Sequence, residues 1–291
     1  MPMRLSVVVA TRNRPDQIGR SIRALLSLES PEPWELVIVD NGSTIQSCAG
    51  IIASELALAQ NAVRAVYEPR RGSGAARNAG WRASQGEFVA FTDDDCIPAP
   101  DYLLNILACF DESPHLGFIG GRILLYDPDD YPITIQEKAT RHDLPPRTFL
   151  RPGLIQGANM ACRRTALESV GGFDVRFGAG TPFSCEDVDL LARMLGKGWS
   201  GAYDPRPVIH HHHGRKAGEA VDTLARSYDS GRGAYYAKSS LDPALRWTYL
   251  RHWLRAMRHL PTKTTARELA GAFRYLIQSF EFWLSRVVRG Q

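Results

Sequence analysis

Three consecutive aspartates, Asp93-Asp94-Asp95, follow the apolar run Phe88-Val89-Ala90-Phe91 and Thr92. They are not core residues, because unpaired buried charges cost several kcal/mol each. Their mutual repulsion favours a proton or a cation. Oxygen-only ligands at a strand end suit Mg²⁺ or Mn²⁺, with phosphate oxygens completing the shell. A competing reading is a helix N-terminus, since Pro98-Ala99-Pro100-Asp101 precedes a helix expected from Tyr102. Asp101 is expected to supply that cap by itself. A second acidic pair, Glu186-Asp187, opens a helical pattern, and a carboxylate so placed can act as a general base. The alternative is that both acids only favour a helix N-terminus, with Ser184-Cys185 as a separate cap. His210 to His213 form a run at the end of a short strand. Alternation puts His210 and His212 on one face and His211 and His213 on the other. A purely histidine zinc site is a lesser alternative.

The elements that position these groups are legible from the hydrophobic pattern. Leu5 to Ala10, Glu35 to Asp40, Val63 to Tyr67 and Phe88 to Phe91 read as strands. Helical patterns begin at Pro15, run from Ile51 to Ala59, and run from Ala75 to Ala83. Strands alternating with helices imply βαβ units and a mostly parallel sheet, whose ligands bind at the carboxyl ends of the strands. Thr11-Arg12-Asn13, Asp40 and Asp93 to Asp95 stand at three such ends, so polar groups converge on one rim. Phe118 to Leu125 reads as another strand, residues 126–151 as a long loop, Glu186 to Leu195 as a helix and Val208 to His213 as a strand. After Gly214 the pattern is helical. There Leu269, Phe273, Leu276, Ile277, Phe280, Leu284 and Val287 share one face, which is expected to pack as core.

The chain has 291 residues, 44% of them hydrophobic and 23% charged, as in a globular protein of one sizeable α/β domain with an appendage. Cys48, Cys96, Cys109, Cys162 and Cys185 show no metal-finger spacing, which suits a reduced, cytoplasmic protein. No secretory segment is expected, since Met1 to Arg4 leads straight into a strand, and no apolar run has transmembrane length. Residues 215–291 hold 14 Lys and Arg against 6 Asp and Glu, a net +8, which leaves −4 on residues 1–214. Such a basic segment suits peripheral contact with the inner face of a membrane, a homodimer interface, or a solvated helical surface. No nucleic-acid partner is expected.

Taken in order, Leu5 to Pro15, Val37 to Ser43, Arg71-Gly72-Ser73-Gly74-Ala75-Ala76-Arg77-Asn78, Phe91 to Asp95, Gly157-Ala158-Asn159-Met160, Gly171-Gly172-Phe173-Asp174 and Glu186-Asp187-Val188-Asp189-Leu190 resemble the inverting family 2 glycosyltransferases. The resemblance covers residues 4–214. It implies an α/β fold of the GT-A type, Rossmann-like with a mostly parallel sheet flanked by helices. Residues 215–291 would form a helical C-terminal extension. It further implies transfer of a sugar from a nucleotide-sugar donor, with UDP the expected nucleotide. The acceptor would be a hydroxyl on a saccharide, a lipid-linked saccharide or a small molecule, with Mn²⁺ or Mg²⁺ as cofactor. Ala10, Thr11 and Arg12 would line the nucleobase pocket. Asp40 would bind base or ribose unless it merely forms the turn before Asn41-Gly42-Ser43. Arg77 would meet the pyrophosphate or the base edge. Asp93 would meet the ribose and Asp95 the metal, with Asp94 a rival for either. Asp187 would be the base, and Glu186 would support or touch the acceptor. His210, with His212 behind it, would complete the metal site. Asn159, Gly157, Phe173 and Asp174 would shape the sugar and acceptor pocket, and Trp199 would be core. A nucleotidyltransferase and a non-catalytic nucleotide-sugar-binding protein are the competing classes.

Overall fold

A computed structural model describes residues 2–58, 62–259 and 262–288. The elements run β1 Leu5–Thr11, α1 Pro15–Leu26, β2 Trp34–Asp40, α2 Gln46–Leu58, β3 Ala62–Tyr67, α3 Ser73–Ala83, β4 Phe88–Asp93, β5 Cys96–Pro98 and α4 Tyr102–Glu112. They continue with β6 Leu116–Leu125, β7 His142–Leu144, β8 Asn159–Arg163, α5 Arg164–Val170, α6 Glu186–Gly196, β9 Ser200–His211, α7 Glu219–Leu241, α8 Arg246–Met257 and α9 Thr262–Val288.

The β-branched runs of β1, β2 and β4 are buried on both faces, which is the signature of a sheet covered by helices. Their order β3-β2-β1-β4 is parallel throughout. Beyond β4 the sheet is mixed: β8 lies antiparallel between β4 and β6, β9 runs parallel to β6, and β5 and β7 pair antiparallel with β9. The expected parallel half is therefore joined to a second half that brings the carboxyl end of β9 beside the residues following β4. The pairing of Cys96 with His211 makes that link.

Alternate residues of the central strands feed two apolar layers. Val7, Val9, Leu36 and Ile38 face Ile18, Ile22 and the buried side of α4. Val8, Val37, Val39 and Phe91 belong to a layer that continues through Val188 and Leu191 of α6 to Tyr235, Tyr249 and Tyr275. Burying one such aliphatic side chain is worth roughly 1.5–3 kcal/mol, so the C-terminal helices are fixed by the same core as the sheet. Polar ties reinforce them. The Tyr235 and Tyr249 hydroxyls are 2.6 Å apart, and the ammonium of Lys238 lies 2.7 Å from both Asp174 and Asp189.

Several expectations need correction. The short elements β5, β8 and α5 were not anticipated, and the loop over 126–151 carries the short strand β7. Neither Asp101 nor Cys185 caps its helix through a side-chain hydrogen bond. The apolar face of α9 is not core. Leu269, Phe273, Leu276, Ile277 and Phe280 are exposed, while Glu268, Ala272 and Tyr275 are buried. The reason is close helix packing through small residues. A Cβ on Gly233 of α7 would lie 1.8 Å from the Glu268 carbonyl oxygen, and one on Gly271 would lie 2.0 Å from that of Ser230. Leu284 and Val287 lie outside the residues whose side chains are described.

Candidate active site

The carboxyl ends of β1 and β4, the N-termini of α3 and α6, the end of β9 and the first half of α7 enclose a cavity of about 730 Å³. Its volume is in the range of small-ligand sites. Ala10, Thr11, Arg12, Arg77, Asp93, Asp94, Asp95, Glu186 and Asp187 all line it. Asp40 does not. One of its carboxylate oxygens accepts the Ser43 amide at 2.8 Å, the turn-forming alternative. Asn41 takes the place beside the cavity, with its side-chain oxygen accepting the Gly72 amide and its NH₂ donating to the Glu68 and Arg70 carbonyls.

The three aspartates occupy three different environments. Asp93 accepts from Arg77 at 2.8 Å. Asp94 accepts from the Thr11 hydroxyl at 2.7 Å and pairs with Arg14. Burial nevertheless pushes its carboxyl up to about 7, with Arg14 and Thr11 pulling the other way. Asp95 receives Arg14 at 2.7 Å and lies 3.1 Å from His211 Nε2. Burial opposes its ionisation, but the His211 hydrogen bond and the Arg14 charge hold it well below the usual carboxylate range. The same contact raises His211 against its own burial.

Asp93, Asp95, Cys96 and His211 each bring one ligand atom to within 4.8 Å of the others. Burial drives the Cys96 thiol far up, so it stays protonated and offers little to a hard cation. Two carboxylates and one imidazole remain, a donor set that fits a divalent cation. The structure brings His211, and neither His210 nor His212, to this cluster. His212 stacks on Tyr126 instead. The strand alternation was as expected, but the face is fixed by the pairing of Cys96 with His211. His213 is buried behind, with Nδ1 accepting the Arg215 amide.

Across the cavity, Asp187 accepts the Gly157 amide at 2.8 Å and the Val188 amide at 2.7 Å, one on each oxygen. Burial, with the adjacent Glu186 charge second, pushes it up to about 6. That value lies in the range where a carboxylate is both available and basic near neutral pH. Glu186 accepts from the Ser73 hydroxyl and from Arg77, each at 2.6 Å. Arg77 is thus a buried crossbar between Asp93 and Glu186, and the absence of a side chain at Gly157 makes room for its guanidinium.

Asn159 is a strand pin rather than a pocket residue, donating to the Arg122 and Pro207 carbonyls. Phe173 packs on Phe91, and Asp174 pairs with Arg176 and Lys238. Trp199 packs against the core, as expected. Sequence reasoning passed over Arg14, Arg71, Arg215 and Tyr228, all of which line the cavity. Arg12, Arg71 and Arg215 have no carboxylate partner among the described residues, unlike Arg14 and Arg77. Burial raises the Tyr228 hydroxyl pKa, and the nearby Asp187 and Glu186 charges raise it further. Nothing in the pattern of α7 marks Tyr228. For Arg215 the surplus of basic residues was the only signal.

A mixed α/β sheet with an acidic triplet at the end of β4 and a carboxylate pair opening α6 defines a GT-A-type glycosyltransferase fold. A family model for glycosyl transferase family 2 matches residues 6–171, and the chain belongs to that family. It is 27% identical over 249 residues to the pre-mycofactocin glycosyltransferase of Mycobacterium tuberculosis, covering 83% of this chain and 48% of the relative. The chain therefore spans about half the length of that relative. It is 25% identical over 231 residues to glycosyltransferase AglE of Haloferax volcanii, covering 79% of this chain and 72% of that one. Among solved structures, the mannosyltransferase PcManGT of Pyrobaculum calidifontis, in complex with GDP-Man and Mn²⁺, superposes with a TM-score of 0.62 at 21% identity. The match covers 98% of this chain and 85% of the other. S. aureus TarS 1–349 in complex with UDP-GlcNAc gives 0.60 at 20% identity, covering 96% and 73%.

Proposed function

We propose that this glycosyltransferase moves a sugar from a nucleoside-diphosphate sugar to an acceptor hydroxyl with inversion of configuration, and that it depends on Mn²⁺ or Mg²⁺. The observation that carries this reading is one cavity with two unlike acidic walls. On one wall, Asp93 and Asp95 stand with His211 in a set suited to a divalent cation. On the other, Asp187 is held by two backbone amides with its carboxyl pushed up to about 6.

On this reading Ala10, Thr11 and Arg12 meet the nucleobase and Asp93 the ribose. Asp95 and His211 would hold the cation, which would supply positive charge for the departing nucleoside diphosphate. Arg71 and Arg215 are free to donate to phosphate oxygens, because neither is already committed to a carboxylate. Asp187 takes the proton of the acceptor hydroxyl. That oxygen bonds to C1 of the sugar from the face opposite the diphosphate, and the C1–O bond to the diphosphate breaks. One displacement inverts the anomeric centre. UDP-sugars are the first donors to test, and GDP-sugars the second, since solved structures of this fold hold one or the other.

A panel of nucleotide-sugars with Mn²⁺ or Mg²⁺, scored for nucleoside diphosphate release, tests the reading. Release with one donor, dependent on the cation, is the expected result. Release of pyrophosphate instead would point to nucleotidyl transfer, and no release with any donor would remove the enzyme reading.

A further inference from the structure

The outward sides of α8 and α9 both expose apolar side chains, and that of α8 adds unpaired positive charge. On α8 and the residue that ends it, Trp247, Arg251, Leu254, Arg255 and Arg258 recur at helical spacing, and all five are exposed, Trp247 at 77%. On α9, Leu269, Phe273, Leu276 and Ile277 are exposed, Phe273 at 67%. Residues 243–267 hold six Lys and Arg and no Asp or Glu. Among the described residues, Arg251, Arg255 and Arg258 have no carboxylate partner. The opposite sides of the two helices are committed: Trp253 donates to Glu268, and Ala272 and Tyr275 pack in the core. The outer face therefore contributes nothing visible to the fold, and it exposes large hydrophobic side chains to water at a cost.

We infer that this face lies on an anionic membrane surface, with Trp247, Leu254, Phe273 and Ile277 entering the headgroup region and the arginines pairing with lipid phosphates. Interleaved aromatic, leucine and arginine side chains on one helix face are what an interfacial helix requires. Long Arg stems let the charge stay with the headgroups while the apolar neighbours insert. A second copy of the chain fits less well. A two-fold contact would set the arginines of α8 against their own copies, and charged residues are depleted at the centre of protein interfaces. No helix among the described residues is long and apolar enough to cross a membrane, so the contact is peripheral. The inference does not rest on the catalytic reading.

Sedimentation of the full chain with vesicles tests it. Phosphatidylcholine vesicles with about 30% phosphatidylglycerol are compared with phosphatidylcholine alone, at low and high salt. The expected result is binding to the anionic vesicles only, weakened by salt. Arg251→Gln, Arg255→Gln and Arg258→Gln together should lower the partition coefficient about 100-fold. Phe273→Asp should lower it independently. Asp187→Asn should leave it unchanged, which separates this result from any failure of the enzyme reading. Circular dichroism checks that each variant is folded, and the exposure of these side chains makes folding the expected outcome. Equal binding to neutral and anionic vesicles, no binding to either, or a homodimer that Phe273→Asp dissociates would each overturn the inference.

Discussion

Replacing Glu186 by Gln should move the acid limb of the pH–rate profile in a direction the site geometry fixes. Burial is the larger cause of the high Asp187 pKa and the Glu186 charge the next. Removing a like charge that contributes about one unit of the rise from 3.8 to about 6 corresponds to an effect on the order of 1 kcal/mol. Gln keeps an acceptor oxygen for Ser73 and Arg77 but removes the negative charge. It also leaves the Arg77 guanidinium less neutralised beside Asp187. Both effects lower the Asp187 pKa. A base works only when ionised, so the rate falls as pH drops through its pKa. The wild-type limb should therefore sit at about pH 6 and that of Glu186→Gln at about pH 5. The assay is kcat from nucleoside diphosphate release at saturating donor, acceptor and metal, from about pH 4.5 to pH 8.5. Donor affinity over the same range, by calorimetry, separates any contribution from Asp94, whose carboxyl sits near 7. A limb that stays at pH 6 in Glu186→Gln, or moves upward, would refute the assignment of that limb to Asp187.

Arg77→Met leaves Asp93 and Glu186 without their shared cation. A broken buried pair costs about 3–5 kcal/mol, but the Asp93 side chain is 37% exposed and can rehydrate. The expected loss in urea unfolding is therefore about 2–3 kcal/mol, and a loss below about 0.5 kcal/mol would contradict the crossbar role. Arg14→Gln removes a positive group that bridges Asp94 and Asp95. The nucleotide-free protein should then bind Mn²⁺ about tenfold more tightly by calorimetry, whereas weaker binding would mean that Arg14 helps to hold the site open. Gly233→Ala forces a Cβ against the Glu268 carbonyl, and overpacking of this kind costs about 1–3 kcal/mol. Its Tm should drop by several degrees, while Gly50→Ala, exposed in α2 with open space around its Cβ position, should hold or raise Tm.

The parallel half of the sheet was legible because Leu5 to Thr11, Trp34 to Asp40 and Phe88 to Asp93 are long, β-branched and ended by polar groups. The acidic rim followed from where those strands end. The second half was harder for local reasons. Strand β5 has three residues, and β8 begins at Asn159, a residue that reads as a pocket group but pins two carbonyls. Which histidines face the aspartates depends on the pairing of Cys96 with His211, a non-local register that alternation alone cannot supply. The apolar stripe of α9 misled because periodicity marks a hydrophobic face without saying whether anything covers it. The packing face is marked instead by Gly271 and Ala272, whose smallness permits close approach to α7. Arg14 and Tyr228 enter the cavity only through tertiary structure. Arg14 folds back from the loop after β1 onto residues 94 and 95, and Tyr228 arrives on a helix that sequence treated as an appendage.

In the proposed reaction Asp187 removes the acceptor proton across the cavity from the cation-binding wall. Donor binding and sugar transfer measured side by side for Asp187→Asn test it most directly. Asn keeps the shape of the side chain and can still accept a backbone amide, but it is not a base. Donor affinity should stay within about twofold of wild type, and transfer should fall about 10²- to 10⁴-fold. Transfer at the wild-type rate with donor binding intact would contradict that role of Asp187.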